Sequence, residues 1–278
     1  MDLKKTLESI GISVLQRNDL SAVHVQNPEE GIGIAKNVLY SLCDKKTVLF
    51  LSGGSTPKPL YEQLAHEEKL NVGAVGMIDE RYGDPGHAKS NEKMIKETGL
   101  LRYLTALDIQ FSPILKYRHP GVASTTIGSQ FKMRDFIASL QNDKTGRKET
   151  ADRYDEEVRS FFFNIPTHIG ILGIGEDGHT AGIAPNRSDF KNPLFEKNRQ
   201  SLLVSEFIDP TGPFGERVTM TFQGLSMLDV LIVLVMGSAK QNALREMFNS
   251  GSLAEIPSRF YTQPEIGKKT IVITDQII

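Results

Sequence analysis

Three short apolar runs end in glycine: TVLFLSGG (47–54), HIGILGIG (168–175) and LDVLIVLVMG (228–237). Each is continuously apolar rather than alternating, so as a strand it needs cover on both faces. None reaches the ~18 apolar residues of a membrane span. Helical patterns lie between them. PEEGIGIAKNVLYSLCD (28–44) carries Pro near its first turn, and TPKPLYEQLAHEE (56–68) has Ser55 or Thr56 available as a cap. SNEKMIKETGLLRYL (90–104), ADRYDEEVRSFFFN (151–164) and SAKQNALREMF (238–248) read as further helices. SAVHVQ (21–26), AVGMIDER (74–81) and TIVITD (270–275) read as strands, as does the start of VTMTFQGLSMLDVLIVLVMG (218–237). This alternation predicts an α/β fold: a single-domain, doubly wound, mostly parallel sheet with helices on both faces, Rossmann-like in kind. All 278 residues are assigned to one domain, with residues 1–20 as a loosely packed N-terminal extension. Residues 123–150 read as a helix running into a polar loop, the patch 141–153 as solvent loop, and 185–200 as loop.

A formal charge of −2 supplies no global field to attract nucleic acid or a membrane, so neither is expected as a partner. An anionic ligand would have to be met by local cations. The single cysteine, Cys43, cannot form an internal disulfide and reads as a buried helical thiol. The opening MDLKKTLESIGISV has no apolar stretch of signal-peptide length, and a reducing cytoplasm is the expected setting. The six histidines are scattered, with no His/Cys spacing for a metal, and neither metal nor cofactor is expected. His24, His66, His119 and His168 read as surface or strand positions, whereas His87 in GDPGHAKSN is loop-borne and near the ligand end of the sheet.

Ligands of open α/β sheets bind beyond the carboxyl ends of the strands, and four such ends carry polar clusters. LSGGSTP (51–57) offers Gly53, Gly54, Ser55 and Thr56 before a helix start, an arrangement suited to a phosphate. It lacks the Gly-Lys-Ser/Thr of a Walker loop. IDERYG (78–83) places Asp79, Glu80 and Arg81 after an apolar strand, and Ser90 and Asn91 follow at a helix start. GILGIGEDGHTAGIAP (170–185) satisfies G-x-G-x-x-G through Gly173, Gly175 and Gly178. A dinucleotide site would need an acid at the end of the next strand, about 20 residues on, and no convincing strand ends there. Asp177 and His179 suit proton transfer better, with the carboxylate orienting the imidazole. MGSAK (236–240) puts Lys240 in the first turn of a helix, against the helix dipole, and Arg217 lies upstream in GERVTM.

Taken together, LSGGSTP, DER, SN, LGIGEDGHTA, RVT and GSAK fall in the order found in the 6-phosphogluconolactonase family, which the sequence resembles from about residue 25 to about residue 250. The related glucosamine-6-phosphate deaminases normally read DGHIAFNEP at the shared DGH, whereas here Ala184 stands where they carry a catalytic glutamate. The resemblance implies hydrolysis of 6-phospho-D-glucono-1,5-lactone to 6-phosphogluconate, in the oxidative pentose phosphate pathway. A deaminase-like isomerase and a non-catalytic sugar-phosphate binder are the alternatives. It implies His179 as general base, Asp177 as its orienter and Arg81 at the substrate. Gly53, Gly54, Ser55, Thr56, Asp79, Ser90, Asn91, Arg217 and Lys240 would bind substrate or phosphate. The partner is then a small phosphosugar lactone, and the protein a monomer or small homo-oligomer. Two departures touch the sugar end: Gly182-Ile183-Ala184-Pro185 replaces the usual Ser-Leu-Phe-Pro, and Tyr82-Gly83-Asp84-Pro85-Gly86-His87 replaces Val-Pro-x-Asp.

Overall fold

In the computed structural model, which describes residues 3–17, 19–116, 144–186, 202–208 and 215–278, the three glycine-ended runs become adjacent central strands. Along the chain come α1 (Leu3–Ser9), β1 (Leu15–Arg17), β2 (Leu20–His24), α2 (Pro28–Leu42), β3 (Thr47–Leu51), α3 (Lys58–Glu67), β4 (Ala74–Met77), β5 (Asp79–Arg81), α4 (Asn91–Glu97), α5 (Leu100–Ala106) and β6 (Gln110–Phe111). There follow α6 (Lys144–Asn164), β7 (Thr167–Gly173), β8 (Val204–Ile208), β9 (Glu216–Met220), α7 (Phe222–Ser226), β10 (Val230–Val235), α8 (Gln241–Phe248), α9 (Pro264–Gly267) and β11 (Thr270–Thr274). Two 3₁₀ segments, Ser238–Lys240 and Pro257–Thr262, flank α8.

The main sheet has the order β1-β2-β11-β10-β7-β3-β4-β6, and only the β1–β2 pair is antiparallel. β3, β10 and β11 are buried at every residue, as continuous apolar runs require. From β3 the chain winds outward through β4 to β6, then returns to place β7 on the other side of β3. The winding direction therefore reverses between β3 and β7. At such a switch point the loops at the carboxyl ends part and leave a crevice.

Several local expectations are corrected. The stretch 74–81 is not one strand. It turns at Ile78, whose N–H donates to Leu51 O (2.8 Å) while its carbonyl accepts from Met220 N–H (2.8 Å). Beyond that hinge, Asp79–Arg81 leaves the parallel sheet and joins a small antiparallel one of order β5-β9-β8. Residues 90–104 form two helices, because Gly99 sits in the left-handed region (φ +85°), where a side chain would be strained. The polar patch 141–153 is helical from Lys144 onward. Ala151, Tyr154, Val158 and Phe161 bury one face of α6, and buried Arg147 pairs with Glu206 (2.5 Å) and Glu216 (3.0 Å) across the small sheet. Residues 117–143 and 187–201, with His119, lie outside the described residues. Residues 3–17 are not loose: Leu3, Leu7 and Ile12 are buried in the core, and β1 pairs with β2. Cys43 caps α2, partly buried, and burial pushes its thiol up to about 12, so it is protonated at neutral pH.

Candidate active site

A cleft of about 150 Å³ opens at the β3/β7 switch point. Its first wall is the loop after β3. α3 begins at Lys58 with Pro57 at the cap position and no side-chain cap, so neither Ser55 nor Thr56 is spent on capping. Both line the cleft with Gly53 and Gly54. The N–H groups of Gly53, Gly54, Ser55 and Thr56 make no hydrogen bond among the described residues. Four free donors beside a helix start are an arrangement suited to an anion.

The second wall follows β7. Gly178 takes φ +84° and donates its N–H to Gly175 O (3.0 Å), while Gly175 N–H donates to His179 O (2.8 Å), closing a tight turn. The imidazole of His179 folds back over Gly175, where a Cβ would collide with the ring. Asp177 Oδ1 accepts from His179 N–H (3.0 Å) and lies 2.6 Å from Nδ1. The hydrogen bond from His179 holds the Asp177 carboxyl down at about 2, so it is an ionised acceptor and Nδ1 must be the donor. That leaves Nε2 with its lone pair free, on a residue lining the cleft. The glycines thus shape a tight turn that sets the Asp177 carboxylate beside Nδ1 of His179.

The third wall comes from β5 and α4, and it divides the two acids of DER. Asp79 lines the cleft, and its backbone O and Oδ2 accept from Asn91 Nδ2 (2.9 and 3.2 Å). Asn91 Oδ1 accepts in turn from Arg81, whose Nη1 also donates to Lys89 O (3.0 Å). Glu80 points the other way, fully buried. It accepts from the N–H groups of Arg81 and Asn91 (2.7 Å each) and Glu92 (2.9 Å), and from Ser90 Oγ (2.8 Å). Burial raises its carboxyl above the usual range, against the pull of these donors. Ser90 therefore stands outside the cleft: its hydroxyl caps α4 at Lys93 N–H (3.1 Å) and is tied to Glu80. His87 also stays outside, its Nε2 2.9 Å from Arg81 O. Glu80→Gln replaces one acceptor oxygen by a donor facing these N–H groups. It should cost about 1–3 kcal/mol of stability, measured as a lowered urea midpoint.

The last wall brings in Arg217 and Lys240. In the β5–β9 register Arg217 lies directly opposite Arg81, with its Nη1 3.5 Å from Asp79 Oδ2. Like charges placed opposite one another are unfavourable in a sheet. Lys240 ends the 3₁₀ turn after β10 and makes no ion pair among the described residues. Three cations and one carboxylate face the cleft, against a chain of near-zero net charge. A bound anion would offset that local excess. No group of three His, Cys, Asp or Glu side chains able to hold a metal occurs among the described residues.

The sequence pattern of the glucosamine-6-phosphate isomerase/6-phosphogluconolactonase family matches residues 34–271. The chain belongs to that family. Family relatives named 6-phosphogluconolactonase include one from Synechocystis, 31% identical over 227 residues, and one from Nostoc, 30% identical over 225 residues; each match covers 77% of both chains. Similar solved structures within the family include 6-phosphogluconolactonases from Shewanella baltica (TM-score 0.69, 20% identity, covering 95% of this chain and 100% of that one) and Trypanosoma brucei (0.68, 21%, 92% and 95%). At such identities these two likenesses speak for the fold, an α/β sheet with mostly parallel strands.

Proposed function

We propose that this chain is a 6-phosphogluconolactonase, hydrolysing 6-phospho-D-glucono-1,5-lactone to 6-phosphogluconate in the pentose phosphate pathway. The observation that carries the reading is the pairing of an oriented base with an anion site in one cleft: His179 held by Asp177, across from the free N–H groups of 53–56. The phosphate would sit on those N–H groups, with Lys240 and Arg217 beside it, and the lactone ring would reach toward His179. Nε2 of His179 takes a proton from water as its oxygen attacks carbon 1. The tetrahedral oxyanion then collapses, the ring C–O bond breaks, and the same proton passes to the leaving hydroxyl. Asp177 stabilises the imidazolium formed between these steps, and Arg81, which lines the cleft, would meet developing negative charge.

Arg217→Met removes a cation while keeping bulk. It should raise KM for the lactone by about 10- to 10²-fold, the value of a hydrogen bond to a charged group, with a smaller change in kcat. Steady-state kinetics at constant ionic strength measures it.

The reading is tested by turnover of freshly generated lactone against its spontaneous opening, beside release of ammonia from glucosamine 6-phosphate. Fast lactone opening without ammonia release is expected. The reverse would move the chain to the deaminase side of the family, and binding without turnover would make it a sensor. Among the described residues no helix is long and apolar enough to cross a membrane.

A further inference from the structure

The turn that carries His179 is braced from beneath by the chain after α8. Ser258 N–H donates to Gly178 O (3.1 Å), and Asn186 N–H donates to Ala254 O (2.6 Å). Between these, Thr180 Oγ1 donates to Gly173 O (2.9 Å) and lies 2.5 Å from the hydroxyl of Tyr261. A threonine has one hydroxyl proton, and here Gly173 O takes it, so Tyr261 must be the donor. The result is a directed chain from Tyr261 O–H to Thr180 O–H to Gly173 C=O. Both side chains are fully buried, and neither lines the cleft. Burial and the nearby Asp79 raise the phenol far above its ordinary value, so it stays a neutral donor. Thr180 is the residue after His179, and Gly173 is the last residue of β7. The chain thus ties together the two ends of the turn that presents Asp177 and His179. Hydrogen bonds linked in series in a dry interior reinforce one another.

We infer that Tyr261 is a positioning residue for catalysis, acting through Thr180 to hold the 174–179 turn so that Asp177 and Nδ1 of His179 stay in register. This rests on His179 being the base proposed above. Nothing about it requires Tyr261 to touch the substrate.

Tyr261→Phe removes the donor and keeps the ring, which packs edge-on against Phe260 (centroids 5.7 Å apart). It should lower kcat at least ~10-fold with KM within about twofold, since small displacements of a catalytic group are costly. Thr180→Ser keeps the hydroxyl and should retain most of kcat, whereas Thr180→Val should lose it. Tyr103→Phe is the control: Tyr103 is also buried, and its hydroxyl donates to Leu70 O (2.9 Å) away from the cleft. It should lower stability to a similar degree and leave kcat unchanged. Imidazole ¹⁵N shifts of His179, assigned with His179→Ala, give a readout independent of turnover. They should report Nδ1–H in the wild type and move toward Nε2–H in Tyr261→Phe. An unchanged kcat and unchanged shifts in Tyr261→Phe would overturn the inference, as would an equal loss of kcat in Tyr103→Phe. A wild type without lactone turnover would sink the lactonase reading alone, because the ¹⁵N shifts still decide whether Tyr261 sets the tautomer.

Discussion

Replacing His179 by alanine is expected to lower kcat for the lactone by about 10²- to 10⁴-fold, the usual contribution of a positioned general base, with KM little changed. With Asp177 ionised and 2.6 Å from Nδ1, the ring presents Nε2 as an acceptor, and no other imidazole lines the cleft among the described residues. The loss should appear in kcat because Nε2 interacts with water only as the transition state forms, while the phosphate grip of 53–56 is untouched. Asp177→Asn should follow in the same direction with a smaller loss: its amide can still accept from Nδ1 but no longer stabilises the imidazolium. A carboxyl held down at about 2 stays charged across the whole neutral and mildly acid range. Its favourable pairing is complete above the ordinary aspartate value and is lost only as pH falls toward about 2. An acid limb of activity between pH 4 and 7 would thus not belong to Asp177. The check is a pH–rate profile of wild type and variants, corrected for spontaneous opening. A fall of less than ~10-fold in His179→Ala would remove His179 from the role of base.

The parts of this site readable from sequence are those that lie close together in the chain. Asp177 and His179 share one turn, and the SGGSTP segment carries its donors on consecutive residues, so their chemistry is written locally. Partnerships across the fold are not. DER offers two adjacent acids, and neighbours in a strand face opposite ways; only the hinge at Ile78 decides that Asp79 enters the cleft and Glu80 the interior. Ser90 and Asn91 look equivalent at a helix start, but the N-cap geometry turns the serine inward to Glu80 and the asparagine toward Asp79 and Arg81. The facing of Arg81 and Arg217 depends on the β5–β9 register, which joins residues far apart in the chain. Tyr261, 81 residues from Thr180, reads in RFYTQ as one more core aromatic. The same holds for the fold. The parallel core was legible because continuous apolar runs admit few arrangements, whereas the small β5-β9-β8 sheet was missed, as its strands are short and partly polar. The start of α6 was missed because, ahead of Ala151, it carries no apolar stripe, and Arg147 there is buried by pairing with Glu206 and Glu216.

Gly175→Ala should nearly match the loss of His179 itself, lowering kcat by ~10²-fold, while the protein remains folded. Gly175 lies outside the left-handed region, so alanine meets no backbone strain there. What the new methyl meets is the His179 ring, at Cε1 and Nδ1. That ring is about half exposed and can swing outward about χ1, so the clash is relieved by motion rather than by unfolding. Relief comes at the cost of the bond to Asp177, because it is the folded-back rotamer that brings Nδ1 to Oδ1. The variant therefore separates two readings of the first glycine-rich turn residue after β7. If Gly175 serves a close backbone approach by a nucleotide, an added methyl should weaken nucleotide binding and leave the imidazole alone. If it serves the imidazole, kcat falls, KM for the lactone holds, and Tm shifts by only a few degrees, in keeping with a surface change. Full activity in Gly175→Ala would mean that the folded-back rotamer is not the one that works.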